Sequence, residues 1–196
     1  MARKIDEDKI NRIKEATMET IVTHGIEATT IAMIAKNANV SGGYLYRIYS
    51  GKQDLINDLY SKKVMSLVNE LEFLLTLNPT TIEPIINTFI RNRIVYSKNE
   101  TIASKFYYQL LHNENFNLSE ELKVKHFGLM ENIKRIGITS GEVSDTISLF
   151  QLHYHILIYP VDYINFKRNK AFGLEQSKDS DDLNYLTANI LKFLKM

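Results

Sequence analysis

Apolar residues recur three and four places apart along almost the whole chain, and the two-residue alternation of strands is scarce. Ile10, Ile13, Thr17, Thr20, Ile21 and His24 share one face of a first helix, and Gly25 stands where a C-terminal cap favours glycine. Asp6, Glu7 and Asp8 fall in its first turn, where acids suit the helix dipole. Ile31, Ile34, Ala35 and Ala38 give the inner face of a shorter second helix, capped by Thr29 or Thr30. The run Asn37-Ala38-Asn39-Val40 then turns the chain, with Asn39 the residue best able to take a left-handed conformation. Val40 plugs the angle, Ser41 caps a third helix, and Leu45 faces inward.

Leu55, Leu59, Val64, Leu67, Val68, Leu71, Leu74 and Leu75 mark a long helix that starts near Lys52 behind a capping pair Ser50 and Gln53. Asn78-Pro79 ends it, because the residue before proline avoids the helical region. Asn117 with Glu120, and Thr139 with Glu142, have capping-box spacing and predict two further helix starts. A helix over 144–163 is apolar on nearly every side, 173–181 reads as a polar loop, and Leu183, Leu186, Ile190, Leu191 and Leu194 form a last amphipathic helix. The pattern predicts an all-α chain. A three-helix helix-turn-helix domain occupies 1–52 and a larger helical domain 53–196, joined inside the long helix.

Composition narrows the chemistry more than it suggests any. The 196 residues include no cysteine, which excludes disulfides, thiolate metal sites and cysteine nucleophiles and agrees with a cytoplasmic location. No apolar run reaches a membrane span, and the N-terminus carries no apolar signal core. His153 and His155 are two apart and so face different ways on a helix, while His112 and His126 stand alone without carboxylates at metal spacing. No catalytic constellation, metal site or cofactor is expected. The net charge is +1, with ten basic against eight acidic residues up to Lys63, so a nucleic-acid role has to rest on local placement.

That placement is found in 29–55. In a helix-turn-helix the second helix enters the major groove with its first residues at the base edges, here Ser41, Gly42, Gly43 and Tyr44. Two glycines at a helix start cost about 1 kcal/mol each relative to alanine in an interior position, which makes sense where backbone must approach a surface closely. Tyr46 and Arg47 face outward and suit phosphate oxygens. Lys52 sits in the first turn of the long helix, where a cation opposes the dipole; a phosphate docked there would reverse the penalty.

The segment Thr30-Ile31, Ile34-Ala35, Ala38-Asn39-Val40-Ser41, Gly43, Leu45-Tyr46, Ile48-Tyr49 and Gly51-Lys52-Gln53-Asp54-Leu55 resembles the DNA-binding motif of the tetracycline-repressor (TetR) family of transcription regulators. Asn39, Ile48-Tyr49 and Gln53 depart mildly from that motif. The resemblance implies phosphate contacts from Thr30, Tyr46 and Lys52, base-facing slots at Gly42, Gly43 and Tyr44, and Arg47 on the outer side. It covers about the first 60 residues and implies that the rest is a ligand-binding and dimerisation domain without a cofactor. The expected partners are an operator duplex, a second copy of the chain and a small hydrophobic or aromatic effector. Phe89, Tyr96, Phe106, Tyr107, Phe127 and Phe150 are candidates to line the effector pocket. Phe150, Tyr154, Leu157, Leu186, Ile190 and Leu194 are candidates for a four-helix dimer interface. The alternative is an architectural DNA-binding factor with no small-molecule trigger.

Overall fold

The computed structural model describes residues 6–113, 118–168 and 178–196, all of them helical or in turns and caps. The helices are α1 (Glu7–His24), α2 (Ile31–Asn37), α3 (Gly42–Tyr46), α4 (Lys52–Thr76), α5 (Glu83–Asn99), α6 (Thr101–Leu111), α7 (Glu120–Ser140), α8 (Leu149–His153), α9 (Tyr159–Lys167) and α10 (Asp179–Leu194). A π-helical stretch, Tyr154–Ile158, joins α8 to α9. The chain divides into two compact units, Met1–Lys63 with Glu100–Asn117, and Val64–Asn99 with Leu118–Met196. The division falls eleven residues beyond the boundary at 52 read from the sequence, and the first unit takes back a segment from the middle of the chain.

Side-chain oxygens start the helices of the first unit. Asp6 accepts from the Lys9 N–H, Thr30 from Met33 and Ser41 from Tyr44, at 3.2 Å in each case. Gly25 closes α1 at φ 83° while its N–H bonds the Ile21 carbonyl, and Asn39 holds the turn at φ 51°. The core gathers Ile13, Ile21, Ile34, Ala35, Leu45, Leu55 and Ile56 with Phe106 and Leu110 of α6, which packs along α1. The apolar spacing of α1 to α3 thus folds as expected, but the face is completed from α6.

In the second unit a core of Leu71, Ile82, Ile86, Phe89, Ile90, Met130, Ile133, Leu152, Ile156, Leu186 and Ile190 is shared among α4, α5, α7, α8, α10 and the π stretch. Several expected boundaries move. Asn117 lies outside the described residues, and Ser119 is the cap of α7. Thr139 starts no helix; it lies in the last turn of α7, which Gly141 ends in a left-handed conformation at φ 74°. Glu142 does cap a helix, but a distant one: its carboxylate accepts the N–H groups of Ile82 at 2.7 Å and Glu83 at 3.2 Å, at the start of α5. The apolar helix begins at Leu149, five residues later than expected, behind a full capping box of Ser148 and Gln151. Lys178 precedes α10, so Asp179 and Asp181 belong to its acidic first turn and not to a loop.

Candidate nucleic-acid interface

The surface around α3 is built from its caps outward. Ser41 spends its hydroxyl on the Tyr44 N–H, and Leu45 is completely buried, which pins one side of a five-residue helix to the core. The opposite side presents Gly43, Tyr46 and Arg47 to solvent, and Tyr46 is 61% exposed. A Cβ placed on Gly42 or Gly43 would meet nothing within 4 Å, and neither residue has a positive φ. Neither backbone conformation nor packing among the described residues requires glycine at these two positions.

Thr30 is exposed at the start of α2, next to α3 in the fold, with its hydroxyl engaged as a cap. Tyr44 departs from its expected base-facing slot. Its ring is half-buried against the core, with the Lys9 ammonium 5.5 Å and the Arg47 guanidinium 4.7 Å from its centroid. Its hydroxyl is buried without a hydrogen-bond partner. Tyr44 thus turns its ring to the core, beside Lys9 and Arg47, rather than outward.

Lys52 also finds partners in the chain. Its Nζ donates to the Ile26 carbonyl at 2.7 Å and the Glu27 carbonyl at 3.3 Å, just past the end of α1. These oxygens offset the unfavourable dipole at the start of α4 and leave one of the three ammonium N–H groups for another acceptor. Asp54, not Gln53, completes the cap, accepting the Ser50 N–H at 2.9 Å and its hydroxyl at 3.1 Å. Tyr49, whose hydroxyl donates to Asp58 at 3.0 Å, is raised well above the usual phenol range by burial and by that carboxylate.

The six aromatic pocket candidates are divided between the two units. Phe106 and Tyr107 belong to the first unit, where Phe106 is core and the Tyr107 hydroxyl donates to the Leu59 carbonyl at 3.4 Å. Burial, helped by Asp58, pushes the Tyr107 phenol up to about 12. Phe89 is core in the second unit and Tyr96 half-buried, whereas Phe127 and Phe150 are exposed. An open hollow of about 380 Å³ lined by Glu131, Lys134, Arg135, Ile138, Thr139 and Leu149 contains none of the six.

The interface candidates separate as well. Leu186, Ile190 and Leu194 are completely buried in their own unit and cannot face a partner. Phe150 and Tyr154 are exposed and Leu157 is half-buried, and exposed Phe166 and Tyr185 join them as aromatic surface the sequence reading missed. His153 and His155 do diverge: His155 stacks on Phe193 at 3.6 Å, while His153 Nδ1 meets His126 Nε2 at 2.7 Å across α7 and α8. His126 thus has a partner after all. Among the described residues no group of three metal-ligating side chains forms, and no helix is long and apolar enough to cross a membrane.

Comparison with known proteins places this geometry. The sequence model of the family "Bacterial regulatory proteins, tetR family" matches residues 13–59. The fatty acid metabolism regulator protein of Bacillus subtilis (strain 168) is 22% identical over 144 residues, which cover 72% of this chain and 74% of that protein. The fold is shared with the crystal structure of the transcriptional regulator FadR from Bacillus subtilis in complex with stearoyl-CoA, at TM-score 0.68 and 19% identity over 94% of this chain and 97% of that one. It is shared too with the ketosteroid transcriptional regulator KstR2 of Mycobacterium tuberculosis, at TM-score 0.67 and 16% identity over 99% and 97% of the two chains.

Proposed function

We propose that the chain, whose residues 13–59 match the model of the tetR family of bacterial regulatory proteins, is a homodimeric, cytoplasmic operator-binding repressor, without enzymatic activity, that an effector with a long apolar chain releases. The observation that carries the DNA half is the glycine tip of α3, open on its outer side and flanked by Tyr46 and Arg47. Backbone at Gly42 and Gly43 approaches the groove floor, Tyr46 and Thr30 bond phosphate oxygens, and Arg47 sits on the outer side of α3. Lys52 adds its remaining N–H to a phosphate while holding the end of α1. Ser41 acts as the cap that orients the helix, and the Tyr44 ring lies beside Lys9 and Arg47.

For the effector we propose a long acyl chain carried as a coenzyme A thioester. The support is the likeness to a fatty acid metabolism regulator and to a regulator that holds stearoyl-CoA. Release follows if the effector binds the DNA-incompetent conformation better than the competent one. The chain crosses between its two units inside α4, after Asn99 and after Asn117, so a change in the second unit has three covalent routes into the first.

Fluorescence anisotropy with a labelled duplex from the region upstream of the coding sequence tests both halves. Tyr46→Phe should weaken binding about 5-fold, the loss expected for one phosphate hydrogen bond, and stearoyl-CoA should release the wild-type protein. Unchanged binding by Tyr46→Phe would refute the contact assignment. Tight binding indifferent to acyl-CoA would favour an architectural factor instead.

A further inference from the structure

A charged side chain with idle donors lies inside the second unit. Arg93 of α5 keeps only 11% of its side chain exposed. One nitrogen, Nη2, bonds the Glu70 carboxylate of α4, which also accepts from Asn92 at 2.8 Å, and the guanidinium lies 4.5 Å from the Phe89 ring centroid. The other two nitrogens, Nε and Nη1, are buried and have no acceptor. A buried donor without a partner is costly, and guanidinium nitrogens can only donate, so the idle groups call for an oxygen from elsewhere. Thr187 Oγ1 of α10, the helix packed on α5, is a second buried and unpartnered polar atom in this unit. The core of this unit is largely aliphatic, with Ile86, Ile90 and Ile94 from α5 and Leu186 and Ile190 from α10.

Charge decides what kind of oxygen fits. The Arg93 cation is already matched by the Glu70 anion. A second carboxylate brought to the same place would be a buried charge without a counterion, which is strongly disfavoured, whereas a neutral carbonyl oxygen accepts the idle N–H groups at no such penalty. We propose that Arg93, held in place by Glu70, is the polar anchor of the effector site and takes the carbonyl oxygen of an acyl thioester or ester, selecting it over the free acid. This rests on the acyl effector proposed above and adds to it the residue that reads the head of the chain.

The test pairs two ligands with two side chains on the full-length protein, by isothermal titration calorimetry. Stearoyl-CoA is compared with S-octadecyl-CoA, the thioether that lacks only the carbonyl oxygen. In the wild type the thioether should bind about 10-fold more weakly, and in Arg93→Gln the two should bind alike, each protein checked for its helical signal and melting. Arg93→Lys, which keeps the charge opposite Glu70, guards against a folding defect and should retain part of the discrimination. Stearate should bind more weakly than the thioester in the wild type and gain relative to it in Glu70→Gln, where the arginine charge is left to it. A carbonyl preference that survives Arg93→Gln, or Glu70→Gln without any gain for stearate, would overturn the anchor while leaving the acyl effector standing. A wild-type protein that binds neither coenzyme A ligand would remove the acyl effector, and the anchor with it.

Discussion

Gly43 shows how a residue can be wrong for its element and right for the protein. It occupies the first turn of α3 with negative φ and open space where a Cβ would go, so alanine fits without strain. Gly43→Ala should raise the unfolding free energy by about 0.5–1 kcal/mol, because the unfolded chain loses freedom, and weaken operator binding because a methyl group then meets the groove. Urea unfolding and anisotropy read the two effects; a variant that binds DNA as well as the wild type would remove the groove from the explanation. Lys52 is the opposite case. Its misplaced charge is explained first within the fold, by the carbonyls of Ile26 and Glu27, and only its remaining donor is left for phosphate.

Helix boundaries carry the next level of information. Pro160 has no N–H to give and its ring crowds the carbonyl four residues back. The chain meets this by widening into the π stretch Tyr154–Ile158, in which the Tyr159 N–H bonds the Tyr154 carbonyl, so that a helical path continues from Leu149 to Lys167. Just before the widening, α8 is tied to α7 through the two histidine rings, one neutral ring donating and the other accepting. Burial lowers His126, and burial with the neighbouring His126 brings His153 down to about 4. Both rings are thus kept neutral in the fold, while an unfolded histidine takes its proton near pH 6.5. Stability from His153 is complete above about pH 6.5 and is lost as the pH falls toward 4, at up to about 1.4 kcal/mol per pH unit, and the lowered His126 acts in the same direction. His153→Gln should flatten that decline in urea midpoints measured between pH 4 and 7; a decline as steep as that of the wild type would refute it.

At the scale of the whole molecule, we assign exposed aromatic side chains of α8, the π stretch, α9 and α10 to contact with the second copy of the chain. They are Phe150, 77% exposed, Tyr154, Phe166 and Tyr185. A charge among them costs the dimer its apolar contact without disturbing a core that never contained the side chain. Phe150→Glu should shift sedimentation from dimer to monomer while leaving the melting of dilute protein nearly unchanged. Operator affinity should fall with it, since one short recognition helix reads a single half-site. A Phe150→Glu protein that remains dimeric would move the interface elsewhere.

The residues of 29–55 determined their own structure: local caps at Thr30 and Ser41, a left-handed Asn39 and apolar spacing of three and four act within a few positions of one another. That is why the helix-turn-helix, the all-α class and Tyr46 as an outward side chain were legible without coordinates. The larger unit was legible only as helical, because a helix period does not say which neighbour covers a face. Phe106 and Leu110 fill the core of the first unit although its N-terminal segment ends at Lys63, and Leu186, Ile190 and Leu194 face their own core rather than a partner. Glu142 caps a helix that begins sixty positions earlier. His126 found its partner, and Arg93 its Glu70, only when helices distant in sequence were packed together. Such pairings are decided by which surfaces meet, a property of packing between elements that short-range spacing does not encode.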